Sequence, residues 1–150
     1  MMSFLMPLTE DHRFGMQLGH LTRGWRAELD RRLAGLGLSQ ARWLVLLHLA
    51  RFFSEPPTQR ELAQSVGVEG PTLARLLDSL EAQGLVQRVA VAEDRRAKKI
   101  LLCDTALPLI EKIETIANVL RKELFEGVSE EDLLVSMRVH SQILANLERS

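Results

Sequence analysis

The 150-residue chain has no tyrosine, only five phenylalanines and two tryptophans, and a single cysteine. Aromatic side chains make up 5% of it. So few flat, strand-favouring groups beside abundant Leu, Ala, Arg and Glu predict a mainly helical protein. One cysteine, Cys103, closes no internal disulfide, which excludes a disulfide scaffold. Long apolar runs are missing too: Leu44 to Leu47 is interrupted by His48 and followed by Arg51, far short of the roughly 20 residues of a membrane span. The N-terminus shows no charged start leading into an apolar run and a small-residue cleavage site, so the chain reads as cytoplasmic, without a membrane partner. Nor is there an excess of either charge. Nineteen Lys and Arg face twenty Asp and Glu, a net charge of -1, which excludes a uniformly basic nucleic-acid coat protein. What remains, 46% apolar and 26% charged residues, is the make-up of one ordinary globular domain, able to bury roughly 70% of its unfolded surface.

Apolar residues recur at helical steps from the start. Phe14, Leu18, Leu21, Trp25, Leu29 and Leu33 mark one face of a first helix, which Gly35 and Gly37 end. Ser39 opens a second helix over Gln40 to Phe53, before Pro56 and Pro57. Thr58 and Glu61 stand three apart, the spacing at which two side chains reciprocally satisfy the free amides of a helix start. That short helix runs to about Val66, Gly67 permits a sharp turn, and Pro71 lies in the first turn of a fourth helix ended by Gly84. Next come Leu85 to Val91 and Lys98 to Cys103, two short strands around a charged tip. The helical period returns with Ile110, Ile113, Ala117, Leu120 and Leu124, stops at Gly127, and resumes behind Ser129 and Asp132 with Leu133, Met137, His140, Leu144 and Leu147.

Two short capped helices around a glycine turn describe either a helical hairpin or a helix-turn-helix, and the side chains favour the second. Ala63 is small where the helices cross, and Leu62, Val66, Val68, Leu73 and Leu76 are placed to be buried. The inward stripe Leu73, Leu76, Leu77 and Leu80 leaves Pro71, Thr72, Arg75 and Ser79 outward. Arg there can donate two hydrogen bonds to guanine in a major groove, and Thr can reach a phosphate or a thymine methyl. From Arg88 to Lys99 five positive charges (Arg88, Arg95, Arg96, Lys98, Lys99) meet two negative ones (Glu93, Asp94), a local balance of +3 that leaves -4 for the remaining chain. A protruding hairpin of that charge beside a recognition helix reads as a wing, whose Arg can enter a narrow minor groove. Asp94 then orients the tip by pairing with Arg88 or Arg96.

The segments Thr58-Gln-Arg-Glu-Leu-Ala-Gln-Ser-Val-Gly-Val, Pro71-Thr-Leu-Ala-Arg-Leu-Leu-Asp-Ser-Leu-Glu-Ala-Gln-Gly-Leu-Val and Asp94-Arg-Arg-Ala-Lys-Lys resemble the MarR family of winged helix-turn-helix transcriptional regulators, in particular its SlyA-like branch. The resemblance implies six helices with a two- to three-stranded wing, residues 39–103 forming the DNA-binding lobe and residues 10–34 and 104–150 the dimerisation helices. It implies a homodimer on a pseudo-palindromic site in double-stranded DNA, contacted through Thr58, Gln59, Pro71, Thr72, Arg75, Ser79, Arg88, Asp94, Arg95, Arg96 and Lys98. It also suggests modulation by a small aromatic or phenolic anion, bound by Arg23, Trp25, Trp43 and His48, although core packing is an equal reading for the tryptophans. The alternatives are a ligand-independent dimer that antagonises gene silencing and a winged-helix protein-interaction module without DNA. The sequence departs from the family at Cys103, where a Thr often caps the next helix, so the cap is expected to fall to Asp104 or Thr105. His12, His20, His48 and His140 share no ligand spacing, and no nucleophile-base pair or phosphate loop stands out, so neither a metal, a cofactor nor an enzyme is expected.

Overall fold

The computed structural model describes residues 6–91 and 94–149, without the side chains of 94–96. They form two compact units, divided between Ala117 and Asn118.

In the first unit α1 (Glu10–Leu33) passes through a 3-10 turn (Ala34–Leu36) to α2 (Gln40–Arg51), followed by α3 (Gln59–Val66) and α4 (Gly70–Ala82). The strands β1 (Val86–Val91) and β2 (Asp94–Leu102) come next, then a 3-10 turn (Asp104–Ala106) and α5 (Leu107–Leu124), whose last turns belong to the second unit. The helix boundaries follow local chemistry. Gly37, Gly67, Gly84 and Gly127 all have positive φ, and at Gly84 this lets the Leu85 N–H return to the Leu80 carbonyl at 2.9 Å, closing α4. Ser39 stands at the N-cap of α2, but its side chain makes no capping bond.

The core is aliphatic apart from Trp43. Leu33, Val45, Leu46, Leu62, Leu73, Leu77, Leu80 and Ile100 are fully buried, which packs α2, α3 and α4 on one another and on the hairpin. Leu29 and Leu33 are the buried members of the α1 stripe, whereas Leu21 is exposed. On α5 the stripe expected to dimerise is buried within the chain at Ile110, Ile113, Ala117 and Leu120 and is exposed at Leu124.

The hairpin is antiparallel, pairing Val86 with Leu102, Arg88 with Ile100 and Ala90 with Lys98, and its register shifts between Ala90 and Val91. The second strand starts at Asp94, four residues before the sequence pattern marks it, because the charged run there carries no period-2 apolar signal. Among the described residues a single antiparallel bridge stands beside the two strands, Thr58 to Lys99, and the Ile100 N–H donates to the Pro57 carbonyl at 2.9 Å. This bridge takes the place of a third strand. The cap expected from Asp104 or Thr105 does not form. Cys103 occupies the N-cap without a side-chain bond, and the Thr105 hydroxyl donates to the Gly84 carbonyl.

The second unit contains the end of α5 and α6 (Glu130–Glu148). The Ser129 hydroxyl accepts the Asp132 N–H at 3.0 Å, one half of a capping box. Among the described residues of α6 none is buried, and Leu134, Met137, Leu144 and Leu147 are all exposed. No single described helix is long and apolar enough to cross a membrane.

Candidate nucleic-acid interface

The outward face of α4 exists because its inward face is fixed at both ends. At the start of α3 the Thr58 N–H donates to Glu61 Oε1 at 3.0 Å and the Glu61 N–H donates to Thr58 Oγ1 at 3.1 Å, so both halves of the capping box are made. The Thr58 N–H, then the Thr58 side chain and the nearby Lys99, hold the Glu61 carboxyl below its ordinary range. The sign follows: this half of the cap is complete above the unfolded pKa and is lost as pH falls through the lowered folded value. Thr58→Ala should lower stability by about 0.5–2 kcal/mol, and a denaturant titration that leaves the midpoint unchanged would contradict the cap's role.

At the end of α3, Gly67 has φ +83 and its N–H reaches the Ala63 carbonyl at 2.9 Å. The chain therefore turns within a few residues into α4, with Pro71 in the first turn, where its missing N–H is no loss. Leu73, Leu77 and Leu80 are fully buried, and Leu76 and Val68, expected in the same core, are only half-buried. Pro71 and Arg75 are exposed and Thr72 and Ser79 partly so. Asp78, an i+3 neighbour that Arg75 could pair with, is held instead by Arg88, and among the described residues Arg75 carries no ion pair.

A cleft of about 840 Å3 runs between α3, the start of α4 and the wing, lined by Thr58, Gln59, Arg60, Gln64, Gly70 and Lys98 among others. Thr58, Gln59, Arg88 and Lys98 are thus brought together. Arg60 and Gln64 belong to the same surface and were not singled out from the sequence, although a spacing of four on the side of α3 away from Leu62 and Val66 is their signal. Arg88, placed among the DNA contacts by resemblance, has its guanidinium on Asp78 and Glu81. The side chains of Asp94, Arg95 and Arg96 lie outside the described residues.

Of the residues suggested for an aromatic anion, one is enclosed in the core. Trp43 is buried, with its indole N–H donating to Asp30 Oδ1 at 3.2 Å, so it is a core residue. His48 is partly buried, Nδ1 lying 2.8 Å from Ser65 Oγ and the ring 4.7 Å from that of Phe52. Burial, and then the charge of Arg26, push its pKa down, which favours neutral imidazole. Trp25 is half-exposed and Arg23 exposed on α1. Among the described residues no group of three or more His, Cys, Asp or Glu is placed to hold a metal.

Residues 36–97 match the model of the MarR family. The crystal structure of the transcriptional regulator PA3341 is similar at 63% sequence identity and a TM-score of 0.86, covering 91% of this chain and 99% of that one. A MarR family regulator from Silicibacter pomeroyi shares the fold at 22% identity and a TM-score of 0.82, over 94% of this chain and 96% of its own. S. aureus MepR, in its complex with DNA, does so at 24% identity and a TM-score of 0.76, over 93% of this chain and 99% of its own.

Proposed function

We propose that this chain, which belongs to the MarR family of winged helix-turn-helix, DNA-binding transcriptional regulators, reads a pseudo-palindromic operator as a homodimer in the cytoplasm. The observation that carries the reading is the division of α4: three leucines are fully buried, and Pro71, Thr72, Arg75 and Ser79 face outward beside a basic hairpin. In this reading α4 enters the major groove, Arg75 donates to a base, and Thr58, Gln59 and Lys98 line the groove wall against phosphates. Arg95 and Arg96 reach the flanking minor groove, with Asp94 fixing the tip. The MepR complex with DNA supports this use of the fold. The near-zero net charge agrees with it, because the charge that neutralises phosphates is confined to one face.

Dimerisation is assigned to α1 and the last helices, within residues 10–34 and 104–150, because α6 keeps its apolar side chains uncovered. Of the two finer readings, ligand-modulated and ligand-independent, the second is favoured by Trp43, whose indole is enclosed and already hydrogen-bonded to Asp30. Antagonism of gene silencing, suggested by the SlyA-like resemblance, belongs to that second reading. A protein-interaction module without DNA would leave the charge of the wing unexplained.

Arg75→Ala should weaken operator binding by about 1–3 kcal/mol and relax sequence preference at one position, because it removes a base contact. Arg96→Ala should weaken binding to many sequences alike, with no change in Tm. Fluorescence anisotropy at matched salt checks both, and wild-type affinity in both variants would overturn the interface.

A further inference from the structure

We infer that Arg88 is a positioning residue, clasping the wing to the recognition helix through Asp78 and Glu81, and that it makes no phosphate contact. The inference rests on the DNA-binding reading above and changes the part that one basic residue plays in it.

Arg88 is the third residue of β1, and Asp78 and Glu81 stand one turn apart on the last turns of α4. Its Nη2 donates to Asp78 Oδ1 and, at 2.9 Å, to Glu81 Oε1. Its backbone N–H donates to the other Glu81 oxygen at 3.1 Å. Three hydrogen bonds thus run from one strand residue to two helix residues, and only 19% of the Arg88 side chain is exposed. Across the hairpin, Arg88 pairs with Ile100, whose N–H is held by the Pro57 carbonyl. The base of the wing is therefore fixed to α4 on one side and to the approach to α3 on the other. Such a clasp fixes direction more than it adds stability, since ion pairs made with solvent-exposed carboxylates contribute little energy.

Charge separates this role from a phosphate contact. One cation between two carboxylates carries a net negative charge, so a phosphate would have to displace carboxylates already in place. If the acids were only neighbours of the DNA, their removal would reduce repulsion and tighten binding. A clasp predicts the opposite sign, because without Asp78 and Glu81 the wing is no longer held at its angle.

The test uses the full chain and a duplex selected by the wild type from a random-sequence pool, with affinities followed between about 50 and 200 mM salt. Arg88→Gln, and Asp78→Asn with Glu81→Gln, should each weaken binding about tenfold, and all three together should be no worse, as expected for one coupled unit. The slope of log affinity against log salt should stay at the wild-type value. A slope shallower by about 0.9 in Arg88→Gln, the mark of one lost phosphate contact, overturns the proposal, as does tighter binding by the double amide variant. In the free protein, Glu81→Gln should speed hydrogen exchange at the Arg88 amide and leave the Leu77 amide unchanged; unaltered exchange at Arg88 also overturns it. If the wild type selects no duplex, the DNA-binding reading fails, and this exchange measurement still decides whether the clasp exists.

Discussion

Placing aspartates at both Met137 and Leu144 should turn a dimer into monomers and lower operator affinity by about two to four orders of magnitude, the range over which linking two binding modules multiplies affinity. Both side chains are more than half exposed in the single chain, at 55% and 60%, so the substitutions remove no contact from its interior. Covered by a second copy, each would contribute roughly 1.5–3 kcal/mol of apolar burial, and a carboxylate there would be buried without a partner. One recognition helix reads only a half-site, and a second is needed about one helical turn, 34–36 Å, along the duplex. Each monomer should therefore keep its weak, salt-dependent attraction to DNA and lose discrimination between operator and random duplex. Sedimentation and anisotropy on the same samples check both parts. A variant that remains dimeric would show that this face of α6 is not the interface.

How much of this was legible in the sequence depended on how local the causes were. The capping box at Thr58 and Glu61, the turn at Gly67 and the closure at Gly84 each need only residues within a few positions of one another, and all stand where the pattern places them. So does the two-sided character of α4, since leucines spaced three and four apart share one face. What the sequence pattern did not show depended on partners distant in the chain. Ile110, Ile113 and Ala117 have the same period whether a second copy or the chain's own core covers them, and the core does. Trp43 fits a ligand pocket by residue type, but Asp30, thirteen residues earlier, fixes it in the interior. Arg88 belonged to a basic run in sequence and to an acidic pair in space, ten and seven residues away. At Cys103 the pattern moves the cap to the next two residues, whereas Thr105 turns back to Gly84, twenty-one residues before it.

Leu77→Ala should cost about 2–5 kcal/mol of unfolding free energy. Leu77 is fully buried, between Leu73 and Leu80 on the stripe that seats the recognition helix. Removing three side-chain carbons there forfeits their transfer from water and leaves a cavity that surrounding helices close only in part. Leu76→Ala, at a half-buried position one residue earlier, should cost clearly less, which separates burial from helix propensity because both exchanges put the same residue in the same helix. Against a total stability of roughly 5–15 kcal/mol, the Leu77 variant should remain mostly folded at low temperature and melt at least about 4 °C below the wild type. Its operator affinity should then fall through loss of a fixed α4 rather than loss of a contact, with a salt slope close to that of the wild type. Chemical denaturation of the two alanine variants checks the ordering, and equal midpoints for Leu76→Ala and Leu77→Ala would show that the buried stripe does not hold the reading face in place.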